Sequence, residues 1–196
     1  MAKRRAAWKS AKIIFILAAL ALPAAGNVRA SGNADPGKAD QIIMDSLTAG
    51  AGESVVMTIG VVADDSTEIA GNKWVGVGTI CIPINYDKNA MAVDSIKYTG
   101  TMANWDEHFA NKKIDSGFVS INGIHDIGGK ENPLLFSPDK REEIIRLYLS
   151  IKKDAKPGIY TFELTKDPIQ GEYYLASGDG VTSWKPLFRP GKILIK

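Results

Sequence analysis

The sequence predicts an all-β fold: a single antiparallel β-sandwich, jelly-roll-like, of about eight to ten strands with one short inserted helix. Three observations carry this prediction. Ile80, Ile82, Ile84 and Tyr86 alternate with Thr79, Cys81, Pro83 and Asn85, the period of two that marks a half-buried strand. Ile145, Leu147, Leu149 and Ile151 alternate in the same way; a Lys156-Pro157-Gly158 turn follows, and Tyr160, Phe162 and Leu164 alternate again. Turn residues recur at short intervals elsewhere, with no heptad, internal repeat, low-complexity tract or long helical period among them.

Residues 1–30 are expected to be a secretory signal peptide rather than part of the fold. Lys3, Arg4, Arg5, Lys9 and Lys12 form a cationic start, residues 13–22 an apolar core, and Pro23 and small residues lead to Val28-Arg29-Ala30. Cleavage is expected after Ala30, with Ala25 the alternative. The apolar run falls well short of the roughly 20 residues that span a bilayer, which weighs against a retained anchor. With no cysteine near the cleavage site for lipidation, and no anchor signal in residues 192–196, the expectation is a secreted protein, extracellular or periplasmic, free of the membrane once cleaved. Residues 31–40 read as a flexible polar leader and residues 41–196 as the domain.

Along that domain, residues 41–45 suit a first strand, residues 48–53 a glycine-rich turn and residues 54–63 a strong strand. An acidic loop follows at residues 64–68. Residues 74–85 read as one long β-region in which Gly76 and Gly78 suggest a bulge or a close approach of backbones. Residues 92–98 continue the pattern. Asn104 with Glu107 resembles a capping box, and Trp105, His108 and Phe109 fall at helical spacing, so the inserted helix is expected within residues 101–113. Residues 117–122 return to strand and residues 127–133 form a glycine-rich loop. Ser137-Pro138-Asp139 could cap a helix, but the strict alternation running into the Pro-Gly turn favours a strand over residues 144–151. Asp179-Gly180 signals a turn, and residues 192–196 close the domain.

The charge balance excludes one class of partner. The whole chain carries 24 basic and 22 acidic residues, but six of the basic ones and none of the acidic ones lie in residues 1–30. The remaining 166 residues hold 18 bases against 22 acids, so nucleic-acid binding loses its electrostatic support. A single cysteine, Cys81, excludes an intramolecular disulfide and reads as a small buried hydrophobe rather than a reactive thiol.

Nothing in the sequence points to catalysis. The two histidines, His108 and His125, lie near no nucleophile-elbow pattern. One cysteine and two separated histidines cannot form the usual closed zinc site, so no metal ligands are assigned. For calcium, Asp64-Asp65 with Glu68, and Asp179 between two glycines, offer loop oxygens; neither matches a twelve-residue calcium loop, and solvated turns account for them. No cofactor is expected. Aromatic rings raise a different chemistry, stacking on sugar faces. Tyr173-Tyr174 places one ring on each side of a sheet, and Trp184 sits between Ser183 and Lys185-Pro186 where a loop could expose it. Trp184 and Tyr174 are therefore the candidate sugar-stacking residues.

Two segments carry a family resemblance. Tyr86-Asp87-x-Asn89 with Met91 and Val93, then Asp154-Ala155-Lys156-Pro157-Gly158-Ile159-Tyr160, each following a strand and separated by roughly sixty residues, resemble the cohesin-type modules of the carbohydrate-binding β-sandwich superfamily. The resemblance covers residues 54–196. It implies a non-catalytic module, one face of whose sandwich docks the calcium-loaded helices of a dockerin. Cohesins often present an outward Asn and Asp on the strand leading to the Tyr-Asp step; here Thr79 and Cys81 stand at those positions, and Pro83 removes a backbone donor from the same strand. The partner face implied by the resemblance comprises Thr79, Cys81, Asn85, Ser120, Asn122 and His125. Three functions follow as expectations: binding of a dockerin-like or other extracellular protein, recognition of polysaccharide through exposed rings, and a structural place in an extracellular assembly. An enzyme is not expected.

Overall fold

The computed structural model describes residues 38–63, 76–113, 116–126, 140–177 and 182–196. Among these, fourteen strands form: β1 (Gln41–Met44), β2 (Ser46–Ala49), β3 (Ser54–Val62), β4 (Val77–Asn85), β5 (Met91–Tyr98), β6 (Glu107–Lys113), β7 (Phe118–Ile124), β8 (Glu142–Ile151), β9 (Gly158–Thr161), β10 (Glu163–Leu164), β11 (Tyr174–Ser177), β12 (Ser183–Trp184), β13 (Leu187–Arg189) and β14 (Lys192–Ile195). The count exceeds the eight to ten expected because several strands are broken into pieces of two to four residues. The expected signal peptide, most of the leader, the acidic loop at 64–68, Trp74, Asp179 and the alternative helix cap at 137–139 lie outside the described residues.

One sheet runs β13-β1-β3-β8-β5, a second β12-β11-β4-β7-β6 with β10 also paired to β4, and a small third sheet β2-β14-β9. The alternation read from the sequence sends one row of each strand into a common core: Met57, Ile59 and Val61 from β3, Ile80, Ile82 and Ile84 from β4, and Leu147, Leu149 and Ile151 from β8. All are nearly inaccessible to solvent, and burying each such side chain contributes about 1.5–3 kcal/mol. The result is a β-sandwich, as the sequence predicts, with strands making the contacts that inserted helices make in other folds.

Two pairings depart from the antiparallel rule. β1 runs parallel to β13, with Gln41 opposite Leu187, and β2 runs parallel to β14, with Lys192 opposite Ser46. Between them the first strand kinks at Asp45, whose N–H donates to Thr58 O at 3.1 Å and whose carboxylate accepts from Arg141 at 2.9 Å. Gly191 sits against that kink. A Cβ there would lie 2.7 Å from Asp45 O and 2.8 Å from Met44 Cβ, so the segment leading into β14 passes only because position 191 has no side chain.

The expected helix over residues 101–113 does not form. A 3₁₀ turn spans Gly100–Asn104, Trp105 is already extended (φ −73°, ψ 150°), and Glu107 belongs to β6, paired with Ile124. The apparent capping box is therefore a strand entry. Helical spacing would have put Trp105 and Phe109 on one face; instead Trp105 is buried and Phe109 is exposed, and β7 supplies the backbone partners that a helix would have made for itself. Gly100, at φ +55°, lets the turn begin against Glu143 O, which a Cβ at this position would strike.

Candidate partner-binding face

Only the second sheet carries the residues selected from the sequence. β4 turns Ile80, Ile82 and Ile84 to the core, so Thr79, Cys81, Pro83 and Asn85 face away from it. Register pairs them with Ile124, Asn122, Ser120 and Phe118 on β7. Directly paired residues share a face, so the same surface continues through Glu107 and Phe109 on β6 and through Tyr174 and Ala176 on β11. Five of the six selected residues are thus brought together.

His125 is the exception, and its expected role on the face is corrected. It follows β7 in phase with core-facing Gly123, its N–H donates to Gly78 O at 2.8 Å, and its ring meets Trp105 edge-on with centroids 6.1 Å apart. It is buried at the end of the sandwich and presents nothing to a partner.

Exposure divides the other five. Asn85 is exposed and Thr79 half-buried, whereas Cys81, Ser120 and Asn122 are inaccessible. Cys81 packs with Tyr174 and Ala176 in a small cluster of its own, outside the main core. Asn122 Nδ2 donates to Ser120 Oγ at 3.1 Å, while Asn122 Oδ1 has no hydrogen-bond partner among the described residues. These three polar groups are therefore a buried layer beneath the outer face, a correction to their expected role as surface contacts.

Electrostatics agree with that burial. Desolvation, helped by the nearby Asp167 charge and opposed by a hydrogen bond from Ser120, pushes the Cys81 thiol up to about 12. Desolvation first, then the Cys81 and Asp167 charges, raise the Tyr174 phenol to about 12. Both groups stay neutral at physiological pH. A thiol so protonated is neither a nucleophile nor a metal ligand, and Cys81 is the small buried residue that the sequence led one to expect.

The sugar-stacking pair is also corrected. Trp184 faces the core from β12, and its indole N–H donates 2.8 Å to buried Asp40. Tyr174 points outward but is covered, only 7 % exposed. Neither offers a ring face to a saccharide. Among the described residues, no group of three or more His, Cys, Asp or Glu could hold a metal ion.

What the sequence reading missed is Phe109. It stands on the outer face opposite Asn122, 39 % exposed, between exposed Glu107 and the half-buried Ile124 on the next strand. Reading residues 101–113 as a helix hid it; the alternation of Glu107 and Phe109 with His108 and Ala110 was the available signal. The face rests on a firm base. A Cβ on Gly123 would collide with Met102 Cε and approach the Trp105 ring to 3.0 Å, so the 3₁₀ turn packs directly against β7. His108 bonds to Met102 O and stacks on Tyr98 with centroids 4.4 Å apart, pinning the edge strand to the five-stranded sheet.

The sequence matches no protein-family model and no curated protein closely enough to place it. Solved structures do match in shape. A type I cohesin–dockerin complex from Clostridium thermocellum aligns at TM-score 0.62 and 17 % identity, covering 81 % of this chain and 100 % of that one. The third cohesin of ScaC from Acetivibrio cellulolyticus, in complex with the ScaB dockerin, aligns at 0.63 and 16 %, covering 80 % and 98 %. A non-cellulosomal cohesin from the archaeon Archaeoglobus fulgidus aligns at 0.54 and 14 %, covering 81 % and 92 %.

Proposed function

We propose, from the cohesin fold of the chain, that it is a secreted, non-catalytic binding module whose partner is a protein of the dockerin type, docking on the outer face of the six-stranded sheet. The observation that carries the reading is the make-up of that face: exposed Phe109, Glu107 and Asn85 with half-buried Thr79 and Ile124, on continuous strand pairing. An aromatic ring amid small polar groups on a rigid sheet is the arrangement of an interface anchor. The fold neighbours held in complexes with dockerins support the class of partner. Polysaccharide recognition is the weaker reading, because the two rings proposed for it lie buried.

Calorimetry of the protein against a panel of purified dockerin modules, with and without calcium chelator, tests the proposal. A partner that binds, is lost on chelation, and binds at least roughly fivefold more weakly to Phe109→Ala at unchanged thermal stability is the expected result. Binding only to insoluble polysaccharide, or dockerin binding indifferent to Phe109→Ala and Asn85→Ala together, refutes it.

A further inference from the structure

The edge of β4 is paired twice. β10 pairs with it at Asn85 and Ile84, β11 at Cys81 through Val77, and between these pairings residues 166–173 leave the sheet and return. The excursion departs where Thr165 N–H donates to Pro83 O at 3.0 Å. It closes on itself: Asp167 and Gly171 exchange two backbone hydrogen bonds at 2.7 and 2.9 Å, and Asp167 Oδ1 accepts the N–H groups of Ile169 and Gln170 at 2.7 and 2.9 Å.

Its attachment to the sheet is sparse. Asp167, 4 % exposed, is the only buried residue of the excursion, whereas Lys166, Pro168 and Ile169 are exposed, Ile169 by 80 %. Asp167 lies near both the Cys81 thiol and the Tyr174 phenol, which register pairs on the outward side of β4 and β11 and which are both buried. A segment held by one buried polar residue and by the exposed ion pair of Glu172 with Lys185, with the Ile169 side chain in water, is the kind of element that opens below the free energy of global unfolding. Beneath it lies Cys81, and across β4–β7 from Cys81 stands Asn122, a residue only 2 % exposed whose Oδ1 has no partner among the described residues. A buried acceptor left unmet calls for an explanation.

We propose that residues 166–173 form a strap over the outer face, and that a protein partner lifts it to reach the Cys81–Asn122 pair, supplying a donor to Asn122 Oδ1. The inference rests on the docking face proposed above and names what regulates access to it. In the closed state the partner meets Asn85, Thr79 and Phe109; in the open state it also meets Cys81, Tyr174 and Asn122. The strap thereby sets a conformational cost on binding, governed by the fraction of molecules open.

Cys81, the sole cysteine, reports the opening without any partner. Its labelling by iodoacetamide at fixed pH, followed across sub-denaturing urea, separates local from global exposure. Labelling with little urea dependence, faster than the measured global unfolding equilibrium permits, is expected. Gly171, at φ +84° with no atom within 4 Å of where a Cβ would stand, allows a change confined to the strap. Gly171→Ala strains the closed turn and is expected to speed labelling roughly fivefold to thirtyfold while the labelling keeps its slight urea dependence. Asp167→Ala, which removes the turn's carboxylate, should do at least as much. Labelling that follows the full urea dependence of global unfolding in all three proteins overturns the strap. Because no ligand enters the measurement, a strap that opens in a protein that binds no dockerin would sink the docking proposal alone.

Discussion

Gly117 offers the sharpest test of how the face is held. It lies at φ +70° immediately before β7, its carbonyl accepts the Tyr86 N–H at 2.8 Å, and a Cβ there would collide with Tyr86 O. Gly117→Ala thus meets two penalties. The left-handed backbone costs an L-residue about 1–2 kcal/mol, and a contact with backbone oxygen that no rotamer can relieve adds about 1–3 kcal/mol. Gly52 is the matched control: its φ is +82°, but the nearest atom to its Cβ position is Lys153 Cγ at 3.3 Å, part of a mobile side chain. Gly52→Ala should cost the backbone term alone. Urea denaturation followed by tryptophan fluorescence reads both, with midpoints compared at equal slope. A loss of about 2–5 kcal/mol for Gly117→Ala against about 1–2 kcal/mol for Gly52→Ala is expected. In a domain of this size the larger value lowers Tm by roughly 4–20 °C. Equal losses in the two variants would refute the close approach of β7 to the Tyr86 turn.

Two further outcomes follow from buried polar groups. Trp184→Phe keeps an aromatic ring in the core but removes the indole donor from buried Asp40, and should cost about 1.5–3 kcal/mol in the same assay; a loss below about 0.5 kcal/mol would mean that the Asp40 contact adds nothing. Alkaline pH should unfold the protein in a defined window. Cys81 rises from 9.0 to about 12, and Tyr98 and Tyr174 from 10.0 to about 12, each chiefly through burial. Because all three folded values lie above the unfolded ones, the stability linked to them is complete below pH 9 and is lost as pH climbs toward 12. Cys81→Ala should flatten the first part of that decline, between pH 9 and 10, in midpoints measured at successive pH values; an unchanged slope would contradict the thiol's burial.

The strands that form the core were legible because their alternation is strict. Ile80 to Ile84 alternate without a break, and Ile145 to Ile151, where Ile144, Tyr148 and Ile151 also allow a helix face, alternate straight into the Pro-Gly turn; both rows lie in the core. Residues 101–113 were not legible, since Trp105, His108 and Phe109 satisfy a helical spacing locally while the next strand, β7, supplies the decisive pairing, His108 with Gly123 and Phe109 with Asn122. Facing was readable for the site: Thr79, Cys81 and Asn85 do point away from the core, and register puts Ser120 and Asn122, also expected there, on the same side. Exposure was not. Whether an outward residue meets water depends on what chain lies over it, and Asp167, which lies near Cys81, is remote from it in sequence. Trp184 illustrates the same limit, for nothing beside it in the sequence announces that Asp40, 144 residues earlier, accepts its indole N–H.

The two parallel pairings have a mechanical consequence. Because β1 and β2 run in the same direction as β13 and β14, tension applied between the backbone ahead of Gln41 and the backbone beyond Ile195 draws the paired strands past each other lengthwise. The hydrogen bonds joining them lie across the pull, so they share the load together instead of parting one after another. Resistance to such a pull is governed by the barrier to unfolding rather than by equilibrium stability. The short parallel strands therefore act as a clamp between the backbone that enters at Gln41 and the backbone that leaves at Ile195.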